Sequence, residues 1–257
     1  MILFLGMASP KKTSVSIAMP VYNEEVDLPR NIPVLQKFLR ENFKDYDWEI
    51  VIADNGPSKD RTGEVGRELE KKYKGVKYML IPRSGRGGAL KEVWLKSKSD
   101  IVAYMDIDLS SDLRYFSKLI KAIEKGSDIA IGSRLAKGAK VYGRTLLREV
   151  MSRGYNLLIK FFFWTSFNDA QCGFKAMSHE AARKLLPAIE DKAWFFDSEF
   201  LVVGECAGLK VTEIPIVWRD DPRSTVKVAK TAMGDLKGLY RLFRTRPWKK
   251  LKNEWKV

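Results

Sequence analysis

A short apolar run, Ile101 to Met105, ends in two carboxylates, Asp106 and Asp108, and helix signals follow at once. Ser110, Ser111 and Asp112 offer caps, and Leu113, Phe116, Leu119, Ile120 and Ile123 recur at helical spacing. A strand feeding a helix in this way belongs to an α/β sheet, and open sheets bind ligands at the carboxyl ends of such strands. Two acids at that edge suit Mg²⁺ or Mn²⁺ bridged to substrate phosphates, because these hard cations take oxygen ligands. Taken alone, Asp-x-Asp reads equally well as a cap beside a solvated acid, so the rest of the chain has to decide.

The same alternation repeats along the sequence. Val15 to Met19, Trp48 to Ala53, Val76 to Ile81 and the run beginning Ile129 to Ile131 read as strands. Helices are expected from about Val26 to Leu39, Arg61 to Tyr73 and Ala89 to Lys96. This predicts an α/β protein with a mainly parallel central sheet covered by helices. Acid and glycine clusters fall on the carboxyl side of the strands, so one cleft should gather Tyr22, Glu24, Asp54, Arg86, Asp106, Asp108 and Arg134. Past Lys137 the pattern changes. Val141 to Phe167 mixes basic and bulky apolar residues, a helix starts near Ser198, and Val211 to Val217 reads as a strand. Arg219 to Lys227 reads as a polar loop, Thr231 to Phe243 as a last helix, and Arg241 to Lys252 is basic.

Length and charge bound the class. The 257 residues, 45% of them hydrophobic, suffice for one large domain or two small ones. A formal net charge of +14 favours anionic partners. Carboxylates gathered in the cleft would repel a phosphodiester backbone, which argues against nucleic acid. Cys172 and Cys206 are the only cysteines, too few for a disulfide framework, and the single histidine, His179, has no partner for a zinc site. Met1 to Met7 is apolar but lacks a basic n-region. No apolar stretch reaches the roughly 18 to 20 residues that span a bilayer. The expectation is a soluble or membrane-peripheral protein.

Pro20-Val-Tyr-Asn-Glu24, Asp54-Asn-Gly, Gly85-Arg-Gly-Gly-Ala89, Asp106-Ile-Asp108, Gly132-Ser-Arg134 and Gln171-Cys-Gly-Phe-Lys175 occur in that order. The set resembles the family 2 glycosyltransferases of the GT-A fold, and more narrowly the dolichyl-phosphate mannose and glucose synthases. It covers the chain from about Val15 to Lys227. The resemblance implies that Pro20, Tyr22, Glu24 and Asp54 hold the base and ribose of a nucleoside-diphosphate sugar, with Arg86 and Asp106 also on the nucleotide. Asp106, Asp108 and Ser110 would hold Mg²⁺ or Mn²⁺. Three positions depart from the common pattern: Ser110 where relatives often carry Gln, Arg86 where they usually carry Lys, and Asn55 where they commonly carry a second Asp.

On the acceptor side, the resemblance implies a polyprenyl or dolichyl phosphate held by Arg134, Arg148 and Ser152. Gln171, Cys172, Gly173 and Lys175 would floor the sugar pocket, and Arg219 would approach the donor diphosphate. A phosphate acceptor is already anionic near neutral pH and needs no strong base, so the work falls to positioning and to neutralising the leaving group, with Asp108 and Arg219 the residues closest to catalysis. A hydroxyl acceptor would need a base, and Asp169 or Asp197 are the candidates; Asp197 reads equally well as a helix cap. The expected division is a catalytic domain over 1–228 and a basic amphipathic segment over 229–257. Leu157 to Phe167 and Leu239 to Trp255 mix aromatics with Lys and Arg and can lie in a membrane interface, although an apolar stripe at helical spacing is as often core. Many relatives carry membrane-spanning helices after the catalytic domain. None follows in this sequence, so the expectation is docking at the cytoplasmic face by a surface patch or through a membrane-protein partner, or else a sequence trimmed from a longer chain.

Overall fold

Each apolar run becomes a strand in the computed structural model, which describes residues 12–82, 85–220 and 228–254. Met1 to Met7, the loop from residue 221 to Lys227, and Trp255 lie outside those residues. The strands β1 (Ser14–Val21), β2 (Asp47–Asp54), β3 (Val76–Leu80) and β4 (Ile101–Met105) are parallel neighbours in the order β3-β2-β1-β4. Every residue of β4 is buried, as expected of a strand covered on both faces. Pro20 is tolerated in β1 because the register with β4 ends at Ala18, so its missing N–H interrupts no ladder on that side.

Helices α1 (Leu28–Asn42), α2 (Thr62–Lys72), α3 (Arg86–Lys96) and α4 (Phe116–Glu124) connect these strands and the next. One face of the sheet packs on Leu28, Ile32, Leu35 and Leu39 of α1 and on Phe116, Leu119 and Ile120 of α4. These recur every three or four residues, as an amphipathic helix requires. The other face packs on Leu90, Val93 and Trp94 of α3. This helix begins at Arg86, three residues before the sequence places it, because the glycine turn is itself its first turn. Glycine is a poor helix former, but here close packing overrides propensity: a Cβ on Gly87 would lie 2.3 Å from the Phe196 Cβ.

The sheet then continues through β5 (Ile129–Ser133), β7 (Phe174–Ser178) and β8 (Val211–Pro215), completing the seven-stranded order β3-β2-β1-β4-β7-β5-β8. Only β7 is antiparallel to its neighbours β4 and β5. The strand expected over Val211 to Val217 divides at Ile216, whose amide goes to Ser133 and whose carbonyl goes to Lys140. Its second part, β9 (Val217–Arg219), pairs with β6 (Lys140–Tyr142) as a separate two-stranded sheet.

Four more helices and a short fifth close one side: α5 (Leu146–Phe163), α6 (His179–Leu185), α7 (Phe196–Ala207), α8 (Val228–Thr245) and α9 (Trp248–Glu254). Leu239 and Leu242 of α8 and Leu251 of α9 join the core beside α3 and α7, so the basic C-terminal segment is docked on the sheet domain. No helix among the described residues is long and apolar enough to cross a membrane.

The docking of α8 depends on Gly238, where a Cβ would meet the Phe195 ring at 2.3 Å. Gly234, one turn earlier, has nothing within 4 Å of that position. Ala gains about 1 kcal/mol over Gly in a helix interior, whereas overpacking costs about 1–3 kcal/mol. Gly234→Ala should therefore raise the melting temperature and Gly238→Ala should lower it. Thermal unfolding followed by circular dichroism checks both.

Candidate active site

The acid pair sits in a tight turn at the end of β4. The Asp106 amide donates to the Gly173 carbonyl at 3.2 Å, the Leu109 amide returns to the Asp106 carbonyl at 3.2 Å, and Leu109 takes a positive φ of 51°. The Ser110 amide donates to Asp108 Oδ1 at 2.9 Å. Arg219 joins from β9: its amide donates to the Ser110 carbonyl at 2.9 Å, and its guanidinium lies 4.8 Å from the Tyr142 ring centroid. Asp106, Asp108, Ser110, Gly173 and Trp218 line a small depression there.

The antiparallel β7 explains why the Gln171-to-Lys175 motif reaches this edge. A strand running the other way presents its amino end where its neighbours present their carboxyl ends. Met105 therefore faces Phe174 and Tyr104 faces Lys175. Gly173 is held to glycine by Asp106, since a Cβ would lie 1.7 Å from Asp106 Oδ2. Cys172 is fully buried and burial pushes its thiol up to about 12, so it is packing rather than a nucleophile. Lys175 is also buried, donating to Asp197 at 2.5 Å and to the Ala170 carbonyl at 2.8 Å.

Arg86 connects these groups. Its Nη2 donates to Asp106 Oδ1 at 2.7 Å and its Nη1 pairs with Asp197. Asp197 lies inside the first turn of α7 and is not its cap. Burial alone would raise its carboxyl, but Lys175 and Arg86 hold it below the ordinary carboxylate range. Asp169 behaves alike: burial opposes ionisation, and Arg134, with two guanidinium bonds of 2.8 Å, keeps it ionised. Both candidate bases are thus locked in buried ion pairs, each stabilised in the form that has already lost its proton.

Tyr22, Glu24 and Asp54, which the resemblance assigns to the nucleotide, gather around the ends of β1 and β2. Tyr22 is exposed, Asn23 takes φ 56°, and the Glu24 amide donates to Thr62 Oγ1 at 2.7 Å. Asp54 is buried, accepting from Ser58 at 2.9 Å and from Tyr78 at 3.0 Å. It braces the 55–62 loop beneath Tyr22 and Glu24. On the opposite side, Arg148 pairs with Asp220 at 2.8 Å, and Ser152 follows one turn later on the same face of α5.

Three features had no sequence signal strong enough to single them out. Arg144, half-buried and bonded to Glu149 at 3.0 Å, is depressed first by burial and then by the neighbouring Arg134. This adds a third guanidinium to the Arg134 and Arg148 side. Trp194 lies against Arg86, with the guanidinium carbon over its ring at 5.4 Å from the centroid. Asp235 of α8 is buried, accepts from Gln171 Nε2 at 2.7 Å, and leaves Oδ1 without a partner. Its position depends on a helix that folds back over the motif, which spacing alone does not reveal.

The donors at the acid pair are two carboxylates and a hydroxyl, all hard oxygens. Among the described residues no group of three or more His, Cys, Asp and Glu could hold a metal by itself. Such a donor set fits a divalent cation that completes its sphere with substrate phosphate, and does not fit a closed protein cage.

A helix-covered sheet whose fourth strand ends in an acid pair is the GT-A architecture. Mannosyl-3-phosphoglycerate synthase from Rubrobacter xylanophilus superposes on it with a TM-score of 0.68 at 13% identity, covering 91% of this chain and 75% of that one. The profile of glycosyl transferase family 2 matches residues 16–186, and the chain belongs to that family; it is a glycosyltransferase. It is 35% identical to the glycosyltransferase AglD of Haloferax volcanii over 86% of this chain, spanning 35% of that protein's length. It is 30% identical to a dolichyl-phosphate β-glucosyltransferase of Trichomonas vaginalis over 88% of this chain and 70% of that protein.

Burial raises the Asp235 carboxyl from its ordinary 3.8 to about 6, against the Gln171 hydrogen bond. The folded state therefore holds this proton more tightly than the unfolded chain does. The associated stability is present in acid and is lost as pH rises from about 4 through about 6. Asp235→Asn removes the titration, so the variant's melting temperature relative to wild type should be higher at pH 7.5 than at pH 4.5. Calorimetric melting at the two pH values measures this difference.

Proposed function

We propose that this glycosyltransferase moves a hexose from a nucleoside-diphosphate sugar to a polyprenyl phosphate of the dolichyl type, with inversion at the anomeric carbon. One observation carries the acceptor assignment: Asp169 and Asp197, the carboxylates that the sequence offers as a base, are both buried and committed to buried cations. A hydroxyl acceptor would need a base, whereas a phosphate arrives ionised. The names of relatives such as the dolichyl-phosphate β-glucosyltransferase of Trichomonas vaginalis support the same acceptor and favour glucose as the sugar.

In this reading Tyr22, Glu24 and the braced Asp54 loop hold the base and ribose. Asp106, Asp108 and Ser110 hold Mg²⁺ or Mn²⁺, which when bound neutralises charge on the diphosphate. Arg219 adds a second positive group at the leaving group. Arg134, Arg148 and Ser152 orient the lipid phosphate so that its oxygen meets C1 opposite the departing diphosphate.

The lipid's approach is supported by the outer faces of α5 and α8. Leu147, Val150, Leu157 and Phe161 on α5 and Trp164 at its C-cap are exposed, Trp164 at 91%, and so are Met233, Leu236 and Tyr240 on α8. Phe162 and Phe243 join the two stripes with ring centroids 5.7 Å apart. Monomeric soluble proteins rarely leave so continuous an apolar face in water, and Arg244 over the Tyr240 ring, with Lys249 and Lys252 beside Phe162, Trp164 and Phe243, complements anionic lipid headgroups. We assign this face to the cytoplasmic surface of a membrane, on which the sheet domain and the 229–257 segment dock together.

The test is transfer of labelled sugar from UDP-glucose or GDP-mannose into an organic-extractable product, with polyprenyl phosphate and Mn²⁺ or Mg²⁺. Asp108→Ala should lower turnover by about 100-fold or more while leaving the circular dichroism spectrum intact. Label appearing only in aqueous products would sink the lipid acceptor. Arg148→Ala should raise the apparent KM for the lipid phosphate far more than that for the sugar nucleotide. Equal changes in both would remove Arg148 from the acceptor site.

A further inference from the structure

Charges from four places in the fold meet at the acid pair: Arg86 from α3, Asp106 after β4, Lys175 in β7 and Asp197 in α7. Only Asp106 opens toward the cleft, with 44% of its side chain exposed, against 10%, 1% and 4% for Arg86, Lys175 and Asp197. Asp197 gives one oxygen to Arg86 and the other to Lys175, and that second oxygen also accepts from the Tyr104 hydroxyl. The Arg86 guanidinium carbon lies over the Tyr104 and Trp194 rings, 4.9 Å and 5.4 Å from their centroids. A guanidinium held by two carboxylates and lying over two rings has almost no freedom left. Asp106 is confined in turn, with Oδ1 on Arg86 and Oδ2 against the bare Gly173 backbone.

We infer that Asp197 is a positioning residue for the donor site: with Lys175 it anchors Arg86, and Arg86 aims the Asp106 carboxylate into the cleft. This rests on the reading of Asp106 and Asp108 as the cation and diphosphate end of the site. The task suits arginine. A lysine ammonium is a point charge that serves one carboxylate well, whereas the planar fork spans two in fixed geometry. Removing the partner that orients a ligating carboxylate costs about 10- to 100-fold in metal affinity or activity.

The experiment is calorimetric titration of UDP and of GDP, each with Mn²⁺ and with chelator, on the whole chain. For the wild type, Mn²⁺ should strengthen binding of one of the two nucleotides. Arg86→Lys keeps the charge but cannot span both acids. It should cut that Mn²⁺-dependent gain by about 10- to 100-fold, a larger loss than the one it causes in chelator. Asp197→Asn should do the same, and the double variant should lose no more than the worse single one, since both act on one contact. Should Asp197→Asn fail to fold with its two cations unbalanced, Arg86→Lys decides alone. A full Mn²⁺-dependent gain in Arg86→Lys would overturn the inference. So would an equal loss with and without metal, which would make Arg86 a direct diphosphate ligand. A wild type that binds nucleotide with no gain from Mn²⁺ would instead overturn the cation-site reading, and this inference with it.

Discussion

The reversal of β7 is the constraint on which the site depends. Had the strand between β4 and β5 been parallel to them, its amino end would lie at the opposite edge of the sheet. Because it runs backward, Gly173 meets Asp106 and Lys175 lies beside Tyr104. The same reversal brings Asp169, just before the motif, under Arg134 at the end of β5. One strand direction therefore joins the acid pair after β4 to the arginine after β5. The price is a buried lysine, which the register forces into the interior, and Asp197 of α7 answers it.

Buried ion pairs of this kind are poor sources of stability, because desolvation consumes most of the Coulombic gain and apolar replacements often do as well. Their presence here calls for another reason. Arg134–Asp169 and the Arg86–Asp197–Lys175 group lie beside the acid pair and the end of β5, and both fix guanidinium orientation by paired hydrogen bonds. Rigid charge is useful where an anionic substrate must be met without reorganisation. Breaking either group by removing one partner leaves a buried, unopposed charge, a far larger penalty than the pair's net contribution.

The strands from β1 to β5 were legible in the sequence because a parallel, two-sided sheet demands continuous apolar runs, and Ile101 to Met105 is one. The acid pair was legible for the same reason, as it follows such a run directly. The start of α3 was not, because Arg86-Gly-Gly reads as a turn until Phe196 is known to press on Gly87. The split at Ile216 depends on two partners, Ser133 and Lys140, far away in sequence. Asp197 illustrates the limit most clearly. Its place at a helix start suggests a cap, and only the buried Lys175 and Arg86 claim its carboxylate for the site. Local pattern identifies elements; it does not reveal which side chains from different elements will share a charge.

The apolar stripes follow a related logic. In Leu157 to Phe167, Ile159, Phe163 and Phe167 turn inward while Leu157, Phe161 and Trp164 turn out. Helical spacing was present on both faces, so periodicity could not separate core from surface. Burial separates them, and the outward set extends from the first turn of α5, where Arg148 pairs with Asp220, to the cap at Trp164. At 1.5 Å per residue this helix is about 27 Å long. On the proposed membrane face, that outward set would lie as an apolar track against the acyl chains. The electrostatic attraction of a strongly basic chain to anionic lipid fades within a Debye length of about 8 Å at physiological salt, whereas contact between Phe161 or Trp164 and acyl chains does not depend on salt. On the proposed membrane face, the charge would therefore govern encounter and the apolar track would govern residence.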